Sequence, residues 1–195
     1  MARVVADITI SLDGFVTGPK PGPGAGLGEG GEPLHHWAMR PDPVDADILD
    51  QAVAATGAVI MGRRLFDVVD GPHGWNEDRG YGAGHNTEPP VLVVTSTPPD
   101  RVRLTDRFTF VIDGLSGAIA KGAALAGDRD VVIMGGGETI RSALDAGLVH
   151  ELRLHIAPVL LGNGTPLFDG LSSRRLHQVH ARGSGQAIHV TYRVE

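Results

Sequence analysis

Residues 131–140, VVIMGGGETI, hold the arrangement in this chain best suited to chemistry. An apolar run ends in Gly135, Gly136 and Gly137, and Glu138-Thr139-Ile140 then opens a helical pattern. Three glycines in a row are entropically costly in any regular element. Their use at a strand end is to let something approach the backbone. A helix that opens there presents free amides, and with its dipole it makes an anion site. The plain alternative is a tight strand-to-helix turn without a ligand. The spacing is not the Rossmann fingerprint, because Ile140 stands at the third glycine position, and no Gly-Lys-Ser/Thr follows to make a P-loop.

Two further strand ends carry related chemistry. VIMGRRLFD ends an apolar strand at Gly62 and opens a helix with Arg63 and Arg64, and arginine suits a phosphate ester. VVTSTPP ends in the hydroxyls of Thr95 and Ser96. Three such ends lining one crevice would fit a dinucleotide, and NADPH, with its additional 2′-phosphate, matches arginines beside hydroxyls. Among acids, Asp13 is either a turn former or a contact to a bound ring. Asp47 is either a first-turn helix acid favoured by the macrodipole or, if it faces a cleft, a protonating carboxylate. His35, His36 and Trp37 read as a surface cluster and not as a metal site, since adjacent histidines diverge and no third ligand has metal spacing. Trp75 and Tyr81 either anchor their loop or stack on a flat substrate. Glu151 and His155 share one face of a strand by period two and read as structural or as a subunit contact. No Ser-His-Asp arrangement has motif support.

The elements that must position these residues alternate. Strands are expected over residues 3–12, 58–62, 91–96, 108–113, 130–134 and 149–162, with a closing strand pair from 174 to 195. Helices are expected over 43–56, 63–70, 115–127 and from 138 to about 147, the first marked by Pro43 and acids in its opening turns. The segments 18–36 and 71–90 read as long loops, the first flexible and too rich in glycine and proline to pack. Strand-helix alternation implies a largely parallel sheet with helices on both faces, and the tail adds antiparallel edges. A single domain over 1–195 is expected.

Composition narrows the class. The chain has 195 residues, a net charge of -6, no basic tract and no cysteine. Nucleic acid is therefore an unsuitable partner, and disulfides, thiolate catalysis and cysteine-based zinc sites are excluded. No apolar run has membrane-spanning length and the N-terminus lacks the order of a signal peptide, so a soluble cytoplasmic protein is expected.

SLDGF after the first strand, VIMGRRLFD, LVVTSTP and VVIMGGGETIRSALDAGLVHELRLHIAPVLLGNGTPLF occur in the order found in the dihydrofolate reductase-like superfamily. The chain resembles most the branch related to the reductase domain of riboflavin biosynthesis, that of the bifunctional deaminase-reductases. The resemblance covers nearly the whole chain, and its last block is the most specific. It implies an α/β fold with a mixed, mainly parallel eight-stranded sheet, hydride transfer with NADPH, a small-molecule substrate and a homodimer. It implies pyrophosphate contacts at Gly135, Gly136, Gly137, Glu138 and Thr139. The adenosine side would meet Gly62, Arg63, Arg64, Thr95 and Ser96, and the nicotinamide would meet Ala6, Asp7, Leu12, Asp13 and Gly14. The loop from Gly18 corresponds to the segment that covers the nicotinamide.

The chain departs from the pattern at the substrate side. Riboflavin-pathway reductases tend to carry Lys where this chain has Asp7, and Glu where it has Met134. Dihydrofolate reductases keep a first-helix carboxylate at the place of Ala46, flanked here by Asp45 and Asp47. Three functions follow as expectations: an NADPH-dependent reductase of a small heterocyclic or conjugated substrate, with Asp47, Asp45 or Asp13 supplying the proton; the 5-amino-6-(5-phosphoribosylamino)uracil reductase step itself; or a non-catalytic nucleotide or small-molecule binder on the same fold.

Overall fold

A computed structural model of the chain describes residues 2–76, 79–85 and 88–195. The strands are β1 (Val4–Ser11), β2 (Phe15–Thr17), β3 (Thr56–Gly62), β4 (Val91–Val94), β5 (Phe108–Val111), β6 (Asp130–Gly135), β7 (Glu151–Ala157), β8 (Thr165–Pro166), β9 (Leu176–Gly183) and β10 (Ile188–Val194). The helices are α1 (His36–Met39), α2 (Pro43–Ala55), α3 (Arg63–Val69), α4 (Gly114–Ala126) and α5 (Gly137–Asp145), with a 3-10 turn at Glu32–His35.

Eight strands form one sheet in the order β5-β4-β3-β6-β1-β7-β10-β9. Pairing is parallel from β5 through β7, and β10 and β9 add antiparallel strands. The fold class expected from the sequence is the one observed: a mixed, mainly parallel eight-stranded sheet with an antiparallel C-terminal pair. β2 and β8 make a separate two-stranded sheet.

Period two divides β1 between two environments. Val4, Ala6 and Ile10 enter one core with Ile60, Ile133, Leu152 and Leu154, closed by α4 and α5 through Ala118, Ala126, Ile140 and Leu144. Burying an aliphatic side chain of this size contributes about 1.5–3 kcal/mol. The opposite face has a second core over β3 and β4, where Val59, Met61, Val91 and Val93 pack under Phe66, Val69 and Trp75. Farther along that face, over β1, β7 and β10, the residues turn polar: Asp7, Thr9, His155 and His189. α2 lies across them. Its N-terminus is a capping box: Asp42 accepts from the amides of Val44 and Asp45, and Asp45 accepts from the amide of Asp42.

Four expectations are corrected. β7 stops at Ala157 instead of running to 162, because Pro158 brings no N–H for the ladder. The segment after it is taken over by Asp13, whose carboxylate accepts from the amides of Leu161 and Gly162. The loop expected over 18–36 reads as too rich in glycine and proline to pack, yet its part 18–31 folds back on itself. The Gly18 amide bonds to Leu27 O, the Glu29 amide to Pro19 O, and Lys20 pairs with Glu29 at 2.8 Å. β4 ends at Val94, since Thr95 turns its hydroxyl to Thr97 O at 2.8 Å. His35 and Trp37 are not a surface cluster. Trp37 is buried, donates its Nε1–H to Thr9 Oγ1 at 3.0 Å and lies 4.2 Å from the His155 ring. His36 alone is exposed.

Candidate functional site

Where β3 and β6 end side by side, the chain opens a crevice of about 610 Å³. Its floor and walls come from Gly62, Arg63 and Arg64, from Gly136, Gly137, Glu138 and Thr139, and from Val16 and Thr17 of β2. The segment 21–26 closes it from the side. The sequence grouped Gly62, Arg63 and Arg64 with the glycine triplet, and the structure does bring them together. Neighbouring parallel strands that end in glycine leave no side chain to fill the space between the helices that follow.

The glycines have different tasks. A Cβ on Gly62 would lie 2.2 Å from Thr139 Oγ1, and one on Gly137 would lie 2.8 Å from Val16 Cγ2. These two let the elements pack. A Cβ on Gly136 would meet nothing within 4 Å. Gly136 therefore faces open space, and it caps α5 without a side chain. The first amides of α5 have no side-chain partner, which is the donor set an anion takes. Gly135 has a φ of 134, a left-handed value that favours glycine, and the Gly135–Gly136 peptide is cis. Arg64 pairs with Glu138 across the crevice mouth. Arg63 is held by Asp67 at 2.8 Å and by Thr97 O at 2.7 Å. The chemistry of this set fits a nucleotide phosphate. Thr95 is engaged in its own turn and, like Ser96, is not part of the crevice wall; Val94 lines it in their place.

The residues expected beside a nicotinamide are dispersed. Ala6 is fully buried in the first core, and Leu12 is exposed. Gly14 has a φ of 87 and closes a turn on Ser11 O. Asp13 is spent on the loop after β7. A hydrogen bond with Ser11 and the amides of Gly162 and Leu161 hold its carboxyl below the usual range. Asp7 points to the other face of the sheet, away from the crevice, into a second cavity of about 320 Å³ under α2.

The protonating role expected of the first helix finds no support in the geometry. That role needs a carboxyl raised by burial. Asp47 pairs with Arg182, and this contact, with Gln51, holds its carboxyl below the usual range. Asp45 is buried, but its oxygens are taken by His189 Nε2 at 2.9 Å, the Asp42 amide at 3.1 Å and Gln186 Nε2 at 3.2 Å.

Sequence reasoning missed a buried chain of hydrogen bonds across β1, β7, β10 and α2. Asp7 Oδ1 meets His155 Nε2 at 2.9 Å, His155 Nδ1 meets His189 Nδ1 at 2.7 Å, and His189 Nε2 meets Asp45 Oδ1 at 2.9 Å. Burial pushes Asp7 up, but the charge and hydrogen bond of His155, with Arg153, more than offset this and hold it low. Burial lowers His189; Asp45 resists and His155 adds to the fall. Period two does place His155 on the face of Glu151. That His189 lies opposite depends on the β7–β10 register, which no local pattern carries. Among the described residues no group of acids and histidines could hold a metal ion.

Comparison with known proteins agrees with this architecture. The model of the RibD C-terminal domain family matches residues 2–190. An uncharacterized protein of Bacillus subtilis, YyaP, is 28% identical over 198 residues, 97% of this chain and 94% of that protein. A putative riboflavin biosynthesis protein from Shewanella sp. PV-4 superposes with a TM-score of 0.72 at 25% identity, covering 100% of this chain and 99% of that one. Dihydrofolate reductase from Enterococcus faecalis, solved with NADP(H), has a TM-score of 0.59 at 15% identity over 98% of this chain and 96% of its own, a likeness of fold. The chain belongs to the RibD C-terminal domain family, that of the riboflavin-pathway reductases.

Proposed function

We propose that the chain is an NADPH-dependent reductase of a small heterocyclic or conjugated substrate. The observation that carries the reading is the crevice in which the open-faced Gly136 stands at the start of α5, whose first amides have no side-chain cap. The residues fit the cofactor: the first amides of α5 would receive its pyrophosphate, and Arg63 and Arg64 its 2′-phosphate. Bound there, NADPH would supply a hydride. The chain's own part is to bind and orient. Gly136 leaves room, Arg64 can exchange Glu138 for a phosphate ester, and the segment 21–26 shields the crevice from water. With Asp13 and Asp47 both held ionised, the proton that follows the hydride comes from another source, and Asp47→Asn is expected to leave the rate and pH profile unchanged.

Family membership carries a second reading, the reduction of 5-amino-6-(5-phosphoribosylamino)uracil. Asp7 argues against it. A carboxylate tied to His155 stands where the resemblance expects a lysine, and it repels a substrate phosphate. We further propose one domain, a homodimer and a cytoplasmic location.

The test has two stages. NADPH titration, followed by quenching of the buried Trp37 and Trp75, is expected to saturate, and NADPH should bind about tenfold or more tighter than NADH, as a charge-assisted contact of roughly 1.5–3 kcal/mol requires. Arg63→Ala with Arg64→Ala should remove the preference. Oxidation of NADPH against a panel of heterocycles and conjugated carbonyls then separates a reductase from a protein that only binds the nucleotide.

A further inference from the structure

The 320 Å³ cavity under α2 shares no lining residue with the glycine crevice. It spans from Asp7 in mid-sheet to Glu151 at the start of β7, away from the strand ends that form the crevice. One wall is apolar, made by Ile48, Ala52 and Ala55 of α2. The other is the polar sheet face. Its arginines are already matched: Arg153 by Glu151 at 2.7 Å and by Asp130 at 3.2 Å, and Arg182 by Asp47. Asp7 is different. Its Oδ1 is bonded to His155, while its Oδ2 accepts no hydrogen bond from a described residue, and 17% of its side chain stays accessible.

The hydrogen bonds behind Asp7 fix a charge. Three contacts in series need three protons, one each. Two neutral imidazoles carry two, so the unit holds one proton more than two neutral imidazoles and two carboxylates would, wherever along the chain it rests. Set against the carboxylates of Asp7 and Asp45, it leaves one negative charge on the unit. The groups that face the pair are accounted for on every side. His155 is met by Asp7, Trp37 and His35, with Arg153 beside it on β7, and His189 by Asp45 of α2, by the N-cap residue Asp42 and by Arg182 of β9. Asp7 thus presents an acceptor and a residual negative charge to a space the size of one ring.

We propose that this cavity binds a small amine or amidine cation, its N–H groups held by Asp7 and its charge balanced by the single negative charge of the Asp7–His155–His189–Asp45 chain. The site is independent of the nucleotide reading, and its test does not need turnover. Benzamidine and benzoate, alike in shape and opposite in charge, are titrated calorimetrically into the full chain. Benzamidine is expected to bind, benzoate not, and Asp7→Asn to weaken benzamidine at least about tenfold, as loss of a charged hydrogen bond requires. Circular dichroism and an unchanged thermal melt show that the variant is folded. Equal binding of benzoate, binding of neither compound by the unaltered chain, or an unchanged affinity in folded Asp7→Asn overturns the proposal. Nitrogen-15 histidine spectra of the unaltered protein supply a second reading. One far-downfield proton shared by the Nδ1 atoms of His155 and His189 at neutral pH is expected, and two Nδ1 atoms with no proton between them would remove the charge count on which the site rests.

Discussion

At Gly136 the nucleotide reading reduces to one missing methyl group. Its φ of -69 is open to any residue, and a Cβ there touches no protein atom. Gly136→Val is therefore expected to fold with an unchanged Tm and to lose NADPH affinity at least about tenfold, because a side chain would stand where a phosphate approaches. Quenching titration beside a thermal melt checks both halves. A folded variant with full affinity would move the pyrophosphate elsewhere. The same change at Gly137 or Gly62 is a poorer experiment, since it would push against Val16 or Thr139 and report on packing. The sequence showed the triplet and the helix that follows. Which glycine faces outward depends on how β2 and α5 approach, and that is tertiary information.

The 3-10 turn and α1 together show why an element can be invisible in sequence and still be held firmly. No apolar period marks residues 32–39, yet Leu34 and Trp37 are buried, and the Trp37 indole bridges Thr9 and the histidine pair. His35 goes inward with them, and burial, with the charge of His155, lowers its pKa from 6.5 to about 4. Between those values the unfolded chain binds more protons than the folded one, so stability rises with pH across that window. Full at neutral pH, the contribution is lost as pH falls from about 6.5 toward 4, by an amount of the order of 1–3 kcal/mol. Urea unfolding at neutral and mildly acidic pH should show the slope, and His35→Gln should flatten it. The regular strands and helices were legible because their periods are long and their ends are marked by Pro43, Gly127 and Gly62. β2, β8 and the folded-back segment 18–31 were not, because short strands and main-chain bonds between glycines leave no side-chain pattern. The acid–histidine chain was half legible: each residue sits at a readable position, but only strand register joins them.

For the molecule as a whole, the sheet ends in two edge strands, the short β5 and the long β9. β9 is an edge strand exposed along nearly its full length, with Val179 57% and, on β10 beside it, Ile188 54% accessible. An edge this long is a template for pairing unless something covers it. A second copy is the proposed cover, so light scattering at micromolar concentration should give twice the chain mass, and Val179→Lys should return the monomer. A monomer in the unaltered protein would set the dimer aside. The opposite lesson comes from the segment 18–31, which is tied to itself by main-chain bonds and one exposed ion pair, and which meets α3 where a Cβ on Gly26 would lie 2.6 Å from Val68 Cγ1. It forms one side of the crevice without belonging to either core. Its effect should then be on time more than on affinity. Gly26→Ala, which props the segment off Val68, is expected to raise the association and dissociation rates of NADPH by similar factors in stopped flow, so that residence shortens while the equilibrium constant hardly moves.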